Sequence, residues 1–309
     1  MKDRLPTIGS AAFFQQIWRR RPALYRNFFD RRRLKGMHRG TFFRWCRPPV
    51  VARLYVPAED AAPGGSLAVM IEKLEECRDI FHLLDEPRQR FTILLNRVEC
   101  VSRAASSLRD ALEVGRSWRW DDIVATLSTA GSGIGFHAGH EDGFIVQLKG
   151  RRQWSVWPAD DVELTYRRSL LGDKNWKQEK PPPRPASQPL LQCELGVGDV
   201  LYIPALYGHE GVTLEESLSL SIGWRGLCAY HLFQDLMPER LSGLESFPPE
   251  FFDLLPDPDP NQPETADALL SSLSASLRLL GLDARPETVK SLLLSRLQST
   301  SHARRPVSR

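Results

Sequence analysis

Cysteine is scarce. The 309 residues contain five, Cys46, Cys77, Cys100, Cys193 and Cys228, far apart and with no CxxC. An odd, scattered set in a chain of this length excludes the disulfide framework of a small secreted domain and a zinc site of paired cysteines. Reduced thiols in a cytoplasmic protein are expected. No apolar run approaches the roughly 18 residues of a membrane-spanning helix. Met1 to Trp18 lack an apolar stretch followed by a cleavage site, so no signal peptide is expected. The GSGIG stretch at 131–135 has neither the GK[ST] ending nor the following helix of a phosphate loop. No nucleophile elbow and no internal repeat are found. The net charge of +3 selects no partner by itself. The 42% hydrophobic and 26% charged content is that of an ordinary globular chain.

Acid is nearly missing from one segment. Arg19 to Arg47 hold eleven Arg and Lys against one acid, Asp30, with Trp18, Tyr25, Phe28, Phe29, Phe42, Phe43 and Trp45 interleaved. Two readings follow. One is a docking face for an acidic partner: RNA, a nucleotide or an acidic carrier protein. The other is a solvated arginine surface whose aromatics are core.

Hydrophobic periodicity divides the chain into three. Residues 1–115 form a basic and helical N-terminal region. Within it 53–65 read as a short strand and then a turn, and 66–115 as helical from Leu67, Met70, Ile71, Leu74, Ile80, Leu83 and Leu84. From about Trp120 the runs shorten and grow rich in β-branched and aromatic residues: DDIVATLST, FIVQLKG, RQWSVWP, DVLYIP and SLSLSIGW. A barrel or antiparallel sandwich over 116–227 is predicted, with a helix near 160–175 and a proline-rich loop over 176–192. Residues 228–309 return to a helical pattern and end in an irregular tail. The leucine-rich face of Leu269, Leu270, Leu273 and Leu277 suits a homodimer contact or packing on the barrel.

The chemistry concentrates between Ser128 and Trp154. His137 follows a glycine-rich approach and precedes an apolar strand; His209 follows GDVLYIPALYG. Two histidines on neighbouring strands of a small barrel can share a metal. A third ligand, a carboxylate, would complete the facial triad of non-haem iron oxygenases.

These residues carry a family resemblance. The span from Trp118 to Arg225 resembles the JmjC/cupin-type Fe(II)- and 2-oxoglutarate-dependent oxygenases, nearest the ribosomal-oxygenase and asparaginyl-hydroxylase-like branch. The features run in order: IVATLST, GSGIG, His137, Phe144, Gln147, Gly150, Arg152 and Trp154, then GDVLYIP, His209 and SLSLSIGWR. The N-terminal FFQQIWRRRPALYRNFF resembles the family's leading segment more loosely. The resemblance implies an α+β fold, a double-stranded β-helix (cupin/jelly-roll) JmjC core with N-terminal and C-terminal helices. It implies Fe(II) and 2-oxoglutarate as cofactors, and hydroxylation of an amino-acid side chain in a protein, peptide or carrier-bound substrate. By the same resemblance His137 and His209 are metal ligands. Arg152 takes the far carboxylate of 2-oxoglutarate, helped by Thr126 or Ser128.

One position departs from the family. Its pattern is His-x-Asp, and here the triplet is His137-Ala138-Gly139. Several outcomes stay open. Glu141, on the same strand side as His137 if the strand persists, can supply the missing ligand, or His140 can. A shifted register, His140-Glu141-Asp142 with His209, restores the triad. A halide can take the gap, giving a 2-oxoglutarate-dependent halogenase. Or the metal is lost, leaving a non-catalytic cupin-like binding protein. Ser219 and Ser221 alternate with apolar residues and face either the cavity or solvent.

Overall fold

A computed structural model describes residues 5–57, 67–71, 90–112, 114, 119–172, 182–236, 247–257 and 264–302. Ten strands make one bent antiparallel sheet. They are β1 (Ala23–Tyr25), β2 (Val51–Pro57), β3 (Leu67–Ile71), β4 (Thr92–Asn96), β5 (Trp120–Ser128), β6 (His137–Ala138), β7 (Glu141–Trp157), β8 (Leu191–Leu195), β9 (Val200–Ile203) and β10 (Gly208–Arg225). Their order is β1-β9-β7-β10-β5-β4-β2-β3, with β6 added to β10 and β8 to β7.

The two longest strands close the barrel. FIVQLKG and RQWSVW read as two strands, yet both belong to β7. The join is Gly150, at φ +68°, with the Glu216 carbonyl packed where a Cβ would go. Only glycine fits that combination. Opposite it, β10 shifts register between Thr213 and Leu218. Each strand therefore bends from one sheet into the facing one. The first half of β7 pairs with β9 and the last half of β10; its second half pairs with β8 and the first half of β10.

Alternation decides which face of each strand meets which neighbour. Ile123, Ala125 and Leu127, Phe144, Val146 and Leu148, and Leu218, Leu220 and Ile222 are buried together in the main core. Against them pack the N-terminal elements, including α1 (Ala11–Gln16), α2 (Arg31–Leu34), α3 (Arg39–Trp45) and α4 (Arg103–Asp110), through Phe13, Ile17, Leu34, Phe42 and Leu108. The opposite face of the same strands lines a cavity through Val124, Thr126, Gly143, Ile145, Ser219 and Ser221.

A second core joins α6 (Ala229–Leu236), α7 (Glu264–Leu279) and α8 (Pro286–His302). Leu269, Leu273 and Leu277 are buried there against Leu232 and Phe233. Three residues of the leucine face considered for a homodimer are thus covered within the chain, and Leu270 is partly buried. The helix expected near 160–175 is α5 (Leu164–Leu170).

The reading of 66–115 as helical is corrected. Among the described residues of that span, Leu67–Ile71 and Thr92–Asn96 are strands and Arg103–Asp110 is a helix, α4. Leu67, Met70 and Ile71 fall at helical spacing by coincidence within a short apolar run, which pairs with β2 instead. Leu74, Ile80, Leu83 and Leu84 lie outside the described residues, as do 173–181 of the proline-rich stretch and the tail from 303. The sheet crosses the boundary placed at 115/116, because β4 pairs with β5 and β1 with β9. Cys100, Cys193 and Cys228 are free thiols. No described helix is long and apolar enough to cross a membrane.

Candidate active site

His137 and His209 face each other across the β6–β10 pair as direct register partners. Their ring centroids are 4.2 Å apart. Each Nδ1 lies 3.0 Å from a backbone carbonyl two residues upstream, Gly135 O and Tyr207 O respectively. A neutral ring donates Nδ1–H to that carbonyl and leaves the Nε2 lone pair unclaimed, the tautomer a metal ligand needs. Burial lowers the pKa of His137, and the charge of Arg152 adds to this. Burial, with His137 beside it, lowers His209 to about 3. Both imidazoles are therefore neutral at pH 7.

The cavity they line has a volume of about 370 Å³. Deep in it sits Arg152, 4% exposed and stacked over Trp154 with 4.9 Å from guanidinium to ring. Its Nη2 donates to Gly211 O at 2.9 Å, but its Nε is buried with no acceptor. No carboxylate pairs with it among the described residues, and burial lowers it to about 10. Buried guanidinium groups are costly unless an anion meets them. Thr126 lines the same cavity, opposite Ser219 in register. Ser128 does not: its hydroxyl is 2.6 Å from Thr92 Oγ1, at the far end of the strand. Ser219 and Ser221 both face the cavity.

The space beside Gly139 is not empty. An ideal Cβ on Gly139 would lie 2.5 Å from Glu141 Oε2. In an aspartate the carboxylate oxygens lie about 2.4 Å from Cβ, from standard bond lengths. The Glu141 carboxylate thus sits beside Gly139 at the range where an aspartate's own carboxylate would begin. This argues against the halide reading, since a second anion would have to share that space. Glu141 reaches it because β6 ends at Ala138 and β7 starts at Glu141. The break lets neighbouring residues His140 and Glu141 both line the cavity.

Glu141 also has other company. His140 Nδ1 is 3.3 Å from Glu141 Oε1, and His140 Nε2 is 3.1 Å from Asp121 Oδ2. Arg225 holds the other Asp121 oxygen at 3.1 Å. Among the described residues, only Asp121, His140 and Glu141 bring three ligand atoms within 4.8 Å of one another. As placed, the Glu141 carboxylate leans to His140 rather than closing on both imidazoles. Burial raises its pKa; His140 lowers it and Asp121 raises it. For His140, burial opposes the charged form, but Asp121 and Glu141 outweigh it and raise the pKa.

The shifted register with Asp142 is corrected. Asp142 is fully buried on the opposite face of β7. It pairs with Arg119 and accepts from Tyr202 Oη at 2.9 Å and Ala205 N at 3.2 Å. His140, for its part, is not the residue opposite His209. Sequence reading missed Asp121 and Arg225, and also Arg53, Tyr55, Leu94 and Asn96, which line the mouth from β2 and β4. The alternation of β4 and β5 could have pointed to some of them.

A JmjC-domain sequence profile matches residues 107–232. This stretch is similar in sequence to JmjC domains. Over 113 residues the chain is 35% identical to ribosomal protein uL16 3-hydroxylase of Escherichia coli, covering 35% of this chain and 26% of that protein. Over 112 residues it is 31% identical to tRNA wybutosine-synthesizing protein 5 of Gallus gallus, covering 34% of each. The match thus spans a quarter to a third of these relatives. The JmjC fold extends further than sequence identity does. A ribosomal oxygenase from Escherichia coli, solved with cobalt and 2-oxoglutarate, superposes over 92% of this chain and 69% of its own, with a TM-score of 0.58 at 22% identity.

Proposed function

We propose that the protein is an Fe(II)- and 2-oxoglutarate-dependent oxygenase that hydroxylates an amino-acid side chain in a protein, peptide or carrier-bound substrate. The observation that carries this reading is Arg152, a buried guanidinium with no carboxylate partner among the described residues, in the cavity lined by His137 and His209. A dicarboxylic acid such as 2-oxoglutarate answers that need with a charge-assisted pair. Thr126 is the hydroxyl placed to join it. Two of the similar proteins are named for ribosomal substrates or oxygenation, which favours a protein target.

The donor set suits iron: two neutral imidazoles, each oriented by a backbone carbonyl, and a carboxylate beside them. When bound, iron and 2-oxoglutarate supply the oxidising power for hydroxylation by dioxygen. In this reading Glu141 is the third ligand, taking the place of the aspartate that Gly139 lacks. Rotation about its side-chain torsions carries it from His140 toward the imidazole pair, while Asp121 keeps His140 in place. Glycine at 139 is what leaves room for it. Arg152 and Thr126 orient the co-substrate, and the apolar walls, including Ile145 and Ile203, restrict water.

The test is 2-oxoglutarate turnover. Succinate should form with wild type and Fe(II), and should be absent with His137→Ala. Wild-type protein that retains no metal and consumes no 2-oxoglutarate would reject the enzyme reading and favour a binding protein with a cupin shell.

A further inference from the structure

The structure sorts the basic N-terminal segment into two groups. Between Arg19 and Arg47 the chain carries eleven cations and one acid, a local charge of +10 in a protein of +3, so the rest of the chain carries −7. Three of the eleven are neutralised: Arg19 by Asp142, Arg26 by Asp199 and Arg39 by Glu216. The other eight, Arg20, Arg21, Arg31, Arg32, Arg33, Lys35, Arg44 and Arg47, are exposed. None has a carboxylate partner among the described residues. The one acid, Asp30, is occupied in capping α2, accepting from Arg32 N at 2.7 Å.

Part of this surface is a groove. Arg31, Arg32, Lys35 and His38 rim an open cavity of about 430 Å³, with Lys149 on its far side. Its floor is Leu34, Met37 and Leu148, all buried. The aromatics of the segment point inward. Phe29, Phe42 and Trp45 are buried, and Tyr25, Phe28 and Phe43 are partly buried against the main core. No large hydrophobic side chain between residues 19 and 47 is exposed.

We propose that this surface binds a nucleic-acid strand by its phosphates. A protein interface is anchored by apolar and aromatic side chains in a desolvated centre; here the aromatics are turned to the core and the apolar side chains are confined to the buried floor of the groove. Reading of bases needs aromatic platforms, and these are in the core. What remains is a set of unpaired guanidinium groups on a locally concentrated positive field, the chemistry of sequence-independent phosphate contact.

The experiment is fluorescence anisotropy of a labelled single-stranded RNA, the same sequence as DNA, and a poly-glutamate peptide, against the full-length protein across a salt series. Wild type should bind the nucleic acid in the 10⁻⁴–10⁻⁶ M range typical of non-specific binding, about equally for different sequences. Replacing Arg31, Arg32 and Lys35 together by Gln should weaken binding at least tenfold. It should also lower the slope of log K on log salt by roughly 2, from about 0.7 per phosphate contact on a single strand. A control triple on the C-terminal helices, Arg278, Arg285 and Lys290 to Gln, should change neither. Unchanged thermal unfolding of both triples excludes misfolding. Absence of binding, equal weakening by the two triples, or tighter binding of the peptide than of the nucleic acid would overturn the proposal.

Discussion

Glu141 and Asp142 are neighbours on one strand and live in opposite electrostatic worlds. Asp142 points to the floor beneath the barrel. There Arg119, itself fully buried, is bonded through Nη2 to Asp142, through Nη1 to Asp257 at 2.7 Å and through Nε to Arg225 O at 2.8 Å. Tyr202 and the Ala205 amide fill the remaining positions on Asp142. Trp18 donates to Asp257, so the cluster ties the N-terminal region, the barrel and the segment before α7 together. Glu141 points to the cavity, where the two imidazoles have unclaimed nitrogens. Asp142 and Arg119 have each other and further partners, though Asp257 Oδ1 is buried without a hydrogen bond; Arg152 has no carboxylate partner among the described residues. Buried groups are ordinarily paired, so the unpaired ones mark the site.

The largest effect that would sharpen this contrast is on the floor. Arg119→Ala leaves Asp142 buried without its counter-charge and should cost about 3–5 kcal/mol of stability, read by urea unfolding. A loss under 1 kcal/mol would mean the floor is not a structural cluster. Arg152→Met should do the reverse. Removing an unpaired buried cation should leave stability unchanged or raised, while 2-oxoglutarate affinity falls by about 2–4 kcal/mol, roughly 30- to 1,000-fold. Strong destabilisation with intact co-substrate binding would show Arg152 to be structural. The smallest effect is on pH dependence. His137 and His209 have folded pKa values lowered by burial, so the folded state resists protonation that the unfolded chain accepts near 6.5. Stability of the metal-free protein is full above that value and declines as the pH falls below it. Between pH 7 and 5 His209 should cost on the order of 1–2 kcal/mol, with His137 acting in the same direction, and His209→Gln should flatten the decline in melting temperature.

How much of this was legible in the sequence depends on range. The period-2 alternation at 123–127, 144–148 and 218–222 is local, and it gave the strands; which side of the last one met the cavity stayed open until Ser219 and Ser221 were seen to line it. The pairing of His137 with His209 was also within reach, because flanking turns and strands frame both. The bend at Gly150 was not, since a break in apolar pattern reads as a turn between strands rather than a hinge within one. Leu67–Ile71 misled because a five-residue apolar run fits either period. Glu141 was reached by parity, but its approach to Gly139 follows from the strand break at 139–140. The link of its neighbour His140 to Asp121 joins residues 19 apart in sequence. The role of Asp142 was hidden for the same reason: its partners Arg119, Tyr202 and Ala205 come from three separate elements.

The central claim is that Glu141 supplies the carboxylate that Gly139 lacks. Anaerobic titration with Fe(II) and 2-oxoglutarate, followed by the visible charge-transfer band, tests it on wild type, Glu141→Ala and the double variant Glu141→Ala with Gly139→Asp. The account predicts a band in wild type, its loss in Glu141→Ala, and its return in the double variant, where aspartate enters the space Glu141 has left. A full-strength band in Glu141→Ala would contradict it, and would leave His137 and His209 holding the metal without a protein carboxylate from Glu141.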